Sequence, residues 1–170
     1  VNDWRFGRKT IRSILEKLEN ANIDIIECGF LTKMVKEQEC SLFGSVRDIE
    51  GMPPPQPRRA MYVAMIAIGE RELHPEELTP CDQSSITGIR LTFHKHEIEK
   101  AFAWARMIME KGYEVFMQPV GTVFYSDREL LELVEQMNRL NPFAFYIVDT
   151  LGSMYRNDVS HRFYLIDKNM

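Results

Sequence analysis

The chain has 170 residues, a formal net charge of −4 and 45% hydrophobic residues, which suits one domain with a substantial core. The sequence contains neither a Lys/Arg-rich run nor an apolar run near the roughly 20 residues of a membrane helix, so it predicts no nucleic-acid or membrane partner. Its three cysteines, Cys28, Cys40 and Cys81, share no CxxC spacing. That pattern argues against a disulfide framework and a structural zinc site, and it predicts a cytoplasmic protein.

Apolar periodicity predicts an amphipathic helix over Arg8–Asn20, followed by a first strand at Ile23–Cys28. The next segment, Gly29–Arg59, has no regular pattern, and its run Met52–Pro57 (MPPPQP) excludes a regular helix or a central strand. We therefore predict a long connection there, of a kind that is often functional.

The rest of the chain alternates apolar runs with helical patterns. The runs predict four further strands, at Met61–Ile68, Ile89–Phe93, Glu114–Gln118 and Phe145–Asp149. One helical turn is predicted at His74–Leu78. Longer helices are predicted over Glu97–Lys111 and from the capping box Ser126–Glu129 onward. The last helix is predicted over Asn157–Lys168, with Val159, Phe163 and Ile166 turned inward.

This alternation predicts an α/β fold with a parallel sheet and right-handed crossovers. Five strands with their helices match about strands 2 to 6 of a TIM (βα)8 barrel, and a complete barrel needs roughly 250 residues. We therefore interpret residues 1–170 as a partial TIM barrel, a fragment of a single catalytic domain. An open doubly wound sheet is the competing architecture, although no glycine-rich phosphate loop follows a strand.

In βα barrels the active site lies at the C-terminal ends of the strands, and alternate strands share a layer of the interior. Glu27 and Asp149 lie at such ends of the predicted second and sixth strands, and Arg90 lies within the predicted fourth strand, which ends at His94. Because an unpaired charge is costly to bury, we predict that all three point to the concave side, with Arg90 beside at least one carboxylate. Alternatively each is solvated or locally paired, and Asp149 before Thr-x-Gly is a turn residue.

His94 and His96 end the strand Ile89–Phe93 with a His-x-His pattern that invites a metal interpretation. Lys95 lies between them, a polar helix turn follows, and no third ligand lies nearby in the sequence. We favour a solvated junction between strand and helix.

Three segments resemble strands two, four and six of the metal-dependent lyase-like barrels: Asn22–Gly29 (NIDIIECG), Ile89–Glu97 (IRLTFHKHE) and Tyr146–Met154 (YIVDTLGSM). That family includes 4-hydroxy-2-oxovalerate aldolase, hydroxymethylglutaryl-CoA lyase and isopropylmalate synthase, and the resemblance is greatest to the aldolase branch. It covers nearly the whole chain, with the segments in order and at the right spacing.

The resemblance implies a divalent metal, Mg²⁺ or Mn²⁺, held by an Arg-Asp-Gly motif of strand one and a His-x-His pair of strand seven. Neither motif is in this sequence, so no metal ligand is assigned and no metal is expected in this fragment. Glu27 and Asp149 match acidic residues of the family's strands two and six, and with Arg90 they are the candidate catalytic, supporting residues. Thr122 and Gln118 are the candidate substrate-binding residues, Thr122 matching a hydroxyl that contacts the keto-acid carboxylate.

The implied activity is that of a class II pyruvate-type aldolase, which cleaves or forms a carbon–carbon bond of a 2-oxo acid through an enolate. An acyl-CoA lyase or synthase of the same barrel and a non-catalytic binding module remain alternatives. We expect the fragment itself to be inactive. We also expect a homo-oligomer, because a partial barrel leaves sheet edges unpaired and exposes apolar positions such as Ile25, Val63 and Ile147.

Overall fold

The computed structural model describes residues 5–33, 39–70 and 72–170. Within these residues, six strands form one parallel sheet in the order β2-β1-β3-β4-β5-β6: β1 (Ile25–Leu31), β2 (Leu42–Phe43), β3 (Met61–Ala67), β4 (Gly88–Phe93), β5 (Glu114–Pro119) and β6 (Ala144–Phe145). The α-helices are α1 (Arg8–Asn20), α2 (Ile98–Glu110), α3 (Asp127–Leu140) and α4 (Arg156–Asp167). The prediction of a parallel α/β fold of the partial-barrel kind is confirmed.

The described helices are all too short or too polar to span a membrane.

The sheet has two different faces because side chains alternate along each strand. One face packs under the helices and carries the apolar series of Ala64 and Ile66, of Leu91 and of Met117, all in the main core. The other face carries Glu27, Val63, Met65, Arg90, Thr92, Phe116 and Gln118. We call this second surface the open face, and it is where the polar strand residues gather.

The long connection contains a strand that the sequence did not reveal. Leu42 and Phe43 pair with Phe30 and Leu31 at the outer edge of β1, and the Phe30 N–H donates to the Ser41 carbonyl over 2.9 Å. Gly29 makes this pairing possible: its φ is +144°, and an added Cβ would lie 2.2 Å from that same carbonyl oxygen. A strand of two residues is too short for a period-2 pattern to predict.

The C-terminal region differs from the prediction in two ways. Regular pairing is limited to Ala144–Phe145, so it overlaps the predicted strand Phe145–Asp149 only at Phe145. The inward placement of Val159 and Phe163 is wrong, since Phe163 is 62% exposed and only Ile166 of that predicted trio is buried. The reason is that α4 lies against α3 and leaves an apolar groove of about 630 Å³ beside Phe145 and Ile147.

Homo-oligomer formation stays a prediction, and this groove offers the sharpest test of it. Covering exposed apolar side chains favours association, so we expect the chain to self-associate at micromolar concentration in analytical ultracentrifugation. Phe163→Glu should shift the distribution toward monomer. Phe124→Glu is the matched control, because Phe124 is 68% exposed but lies outside the groove. A monomeric parent chain would contradict the expectation.

Helix α3 begins with the predicted capping box. The Ser126 backbone N–H and hydroxyl both donate to Glu129 Oε2, over 2.9 and 2.8 Å, and Lys95 Nζ lies 2.5 Å from Oε1 of the same carboxylate. The Lys95 contact, with the two Ser126 bonds, lowers the pKa of Glu129 to about 2. The beginning of α3 is thus fixed by an ionised carboxylate.

We expect Glu129→Gln to lower the free energy of unfolding at neutral pH and to matter progressively less in acid. A carboxylate with a depressed pKa in the folded state stabilises the fold above its unfolded-state pKa, and that contribution is lost as the pH falls toward about 2. Urea unfolding at neutral pH and near pH ~3 measures the difference. Glu99→Gln in α2 is the control, and an equal loss at both pH values would contradict the expectation.

Candidate functional site

An Arg–Glu–Gln cluster lies on the open face, with Glu27 and Arg90 midway along β1 and β4 and Gln118 near the C-terminal end of β5. Arg90 Nε and one terminal nitrogen donate to the two carboxylate oxygens of Glu27 over 2.6 and 2.7 Å, a forked ion pair. The other terminal nitrogen donates to Gln118 Oε1. Their side chains are partly accessible, 20% for Arg90 and 31% for Glu27. Three of the five predicted site residues therefore meet in one cluster.

The cluster follows from strand order and register. Glu27 is on β1 and Arg90 on β4, so the arginine side chain reaches across β3, which lies between them. This explains why Val63 is buried, although we expected it to be exposed. Thr92 and Gln118 face each other on β4 and β5, one level above Arg90 and Phe116. The cluster thus has a polar upper level and an apolar floor of Val63 and Phe116.

The prediction that Asp149 points to the same side is wrong. Phe145 pairs with Met117, a residue of the helix-covered core, so Phe145, Ile147 and Asp149 face α4 and line its groove. The Asp149 carboxylate accepts the backbone N–H groups of Ser153 and Met154, each over 2.9 Å. Its position is that of a turn residue, the alternative that the sequence left open.

Thr122 is buried, and its hydroxyl donates to the Val148 carbonyl over 2.7 Å. The neighbouring Gly121 N–H donates to the Thr150 hydroxyl over 2.9 Å. These two bonds tie the end of β5 to the segment after β6. The proposed contact of Thr122 with a substrate carboxylate stays a prediction, and it would require the hydroxyl to leave this bond.

The described residues do not form a metal site. They include no group of three or more His, Cys, Asp or Glu side chains arranged to hold an ion, and both oxygens of Glu27 already accept from Arg90. His94 and His96 are exposed at the junction of β4 and α2, with stacked rings whose centroids lie 5.8 Å apart. The divalent metal implied by the resemblance therefore finds no ligand set among these residues.

Cys28 follows Glu27 in β1 but faces the helices. Burial, with the nearby charge of Glu27, raises the pKa of its thiol to about 12. Because the thiolate is the reactive form, Cys28 is a core residue and not a nucleophile.

Two features of the site lie beyond what sequence reasoning identified. Tyr146 lies beside the open face, where its ring stacks on Phe116 at 6.3 Å between centroids. Gly88 makes room at the floor, since an added Cβ would lie 2.8 Å from Val63 and 2.9 Å from Phe116. A glycine opening an apolar strand is the one signal that could have indicated this close packing.

These features define the class of structure: a parallel α/β sheet of the partial-barrel kind, covered by helices on one face and carrying a polar cluster on the other. Neither the protein-family profiles nor the curated proteins include a match to this sequence. Among solved structures the chain is similar to the N-terminal domain of a putative aldolase from Bacteroides vulgatus, with a TM-score of 0.72 and 18% sequence identity. The match covers 98% of this chain and 56% of that one.

At 18% identity this likeness establishes the fold alone. The chain has the fold of that N-terminal domain, and it spans little more than half the length of the chain it resembles.

Proposed function

We propose that this chain is part of the catalytic domain of an aldolase-type carbon–carbon lyase that acts on a 2-oxo acid. The observation that carries the proposal is the forked Arg90–Glu27 pair on the open face. It lies midway along β1 and β4, below the C-terminal strand ends where barrel enzymes bind their substrates. The resemblance of three segments to the metal-dependent lyase-like barrels and the likeness in fold to the N-terminal domain of a putative aldolase support it.

In retro-aldol cleavage the bond between the third and fourth carbons of a 4-hydroxy-2-oxo acid breaks. Its electron pair passes to the carbonyl oxygen as an enolate, the 4-hydroxyl loses its proton to give an aldehyde, and the enolate is then protonated on carbon. A fixed guanidinium favours such a reaction by stabilising the negative oxygen atoms. Arg90 is the described residue suited to that task, and Glu27 holds its plane in place.

The base that accepts the hydroxyl proton is not assigned to any described residue. Dependence on Mg²⁺ or Mn²⁺ is part of the proposal by resemblance only, and no step is attributed to the ion. A cytoplasmic location likewise stays a prediction, from cysteine usage.

The test is cleavage of 4-hydroxy-2-oxovalerate by the complete gene product, measured as pyruvate released. We expect turnover by the complete gene product, loss of turnover with EDTA, and no turnover by the 170-residue chain alone. Cleavage only of CoA thioesters would instead favour an acyl-CoA lyase, and failure on both substrate types would favour a binding module. Turnover by the 170-residue chain alone would contradict the expectation that essential catalytic groups lie outside this chain.

A further inference from the structure

We infer that Arg90 and Gln118 together bind the carboxylate of the substrate through the N–H groups that their mutual bonds leave free. This inference rests on the proposed function for the identity of the ligand, a small 2-oxo monocarboxylate. It differs from the assignment by resemblance, which gives the carboxylate contact to Thr122.

Arg90 has two N–H groups that its described partners do not use. A guanidinium carries five N–H groups, and Arg90 uses one at Nε and one at a terminal nitrogen for Glu27, and one at the other terminal nitrogen for Gln118. One N–H therefore remains on each terminal nitrogen, with no acceptor among the described residues. Two N–H groups on one planar group match the two oxygens of a carboxylate.

Gln118 contributes donors to the same place. Its Oε1 accepts from Arg90, which leaves its side-chain NH₂ with two N–H groups and no described acceptor. Thr92, opposite Gln118 on β4, adds a hydroxyl on the same face. Since the oxygens of Glu27 and Gln118 are already hydrogen-bonded to Arg90, the cluster presents mainly donors to the open face. Such a surface favours an anion over a neutral ligand.

The charge and shape of the cluster favour a singly charged organic anion. Glu27 offsets the charge of Arg90, so the pair is neutral overall and gives little net attraction to a phosphate or sulfate dianion. Val63 and Phe116 beneath the pair are buried, so the ligand would be held by the polar groups above them. Glu27 is then a positioning residue, because it fixes the guanidinium plane without touching the ligand.

The experiment uses the ¹⁵N-labelled 170-residue chain in EDTA and follows the side-chain N–H resonances of Arg90 and Gln118 during titration with pyruvate. Pyruvamide is the neutral probe and inorganic phosphate the competing anion. We expect pyruvate to shift both resonances, and pyruvamide and phosphate to shift them far less. Equal response to pyruvate and pyruvamide, or a stronger response to phosphate, would overturn the inference.

Variants separate this site from general stability. Arg90→Lys and Gln118→Leu should each weaken pyruvate binding about tenfold, because each removes hydrogen bonds to a charged group. Glu27→Gln removes the charge that offsets Arg90, so it should raise the response to phosphate relative to pyruvate, which a purely structural role would not change. Arg106→Lys in α2 is the matched control, and backbone amide spectra confirm that each variant is folded. Unchanged pyruvate binding in folded Arg90→Lys would refute the site.

Because binding is measured without metal and without turnover, the two proposals can fail separately. Selective pyruvate binding at Arg90 in a protein that cleaves no aldol substrate would leave this site standing and refute the proposed function. If the complete gene product cleaves an aldol substrate but pyruvate does not shift the Arg90 resonances, the proposed function stands and this binding site is refuted.

Discussion

Gly29→Ala is expected to lower the free energy of unfolding by about 2–4 kcal/mol, from positive-φ strain together with overpacking. The added methyl would lie 2.2 Å from the Ser41 carbonyl oxygen and 3.0 Å from the Phe43 ring. Relieving that clash would break the Phe30 N–H bond to Ser41, and with it the pairing of β1 and β2. Urea unfolding of parent and variant measures the loss.

Gly152→Ala is the matched control for this prediction. Gly152 also has a positive φ, +64°, but an added Cβ would meet no atom within 4 Å. Its substitution therefore reports backbone strain alone, about 1 kcal/mol. If Gly29→Ala costs no more than Gly152→Ala, the close approach of β1 and β2 is not as described.

Breaking the forked pair is the second change for which we expect a large effect. Arg90→Met leaves the Glu27 carboxylate partly buried without its partner, which should cost about 1–2 kcal/mol; the value is below that for a fully buried pair because both side chains reach solvent. Combining Arg90→Met with Glu27→Gln should recover part of that loss, since neither charge then remains unpaired.

A double-mutant cycle by urea unfolding gives the coupling free energy between the two residues. The exposed pair Arg128–Glu132, one turn apart on α3, provides the comparison cycle. Exposed pairs contribute little, so its coupling should be clearly the weaker. Equal coupling free energies in the two cycles would mean that the Arg90–Glu27 pair is as exposed to solvent as the Arg128–Glu132 pair.

Strand and helix periods were sufficient to predict the main architecture. The helix Arg8–Asn20 has the predicted bounds, and β3, β4 and β5 begin or end within a residue or two of the predicted runs. Each of these strands is long enough, at six or seven residues, for its apolar pattern to be distinctive. The meeting of Arg90 with Glu27 followed from the cost of an unpaired charge inside a strand.

The register of strand pairing, and with it the face on which some side chains lie, could not be predicted from the sequence. The pairing of β1 with β3 shifts between Glu27 and Phe30, so the face of residues after the shift cannot be read from the sequence alternation. The same kind of uncertainty misplaced Asp149, whose face depends on how two residues of β6 pair with β5. The predicted burial of Phe163 was wrong for another reason. Periodicity identifies the apolar side of a helix, but it does not show whether another element covers that side.

The order of the strands has a consequence for how the chain folds. Taken from the N-terminus in the described part of the chain, each new strand joins a free edge of the sheet already formed, β2 on one side and β3, β4, β5 and β6 in turn on the other. None has to be inserted between two paired strands. Because ribosomes release the N-terminal segments first, the sheet can grow at the pace of translation, and pairings between neighbouring segments keep loop-closure costs low.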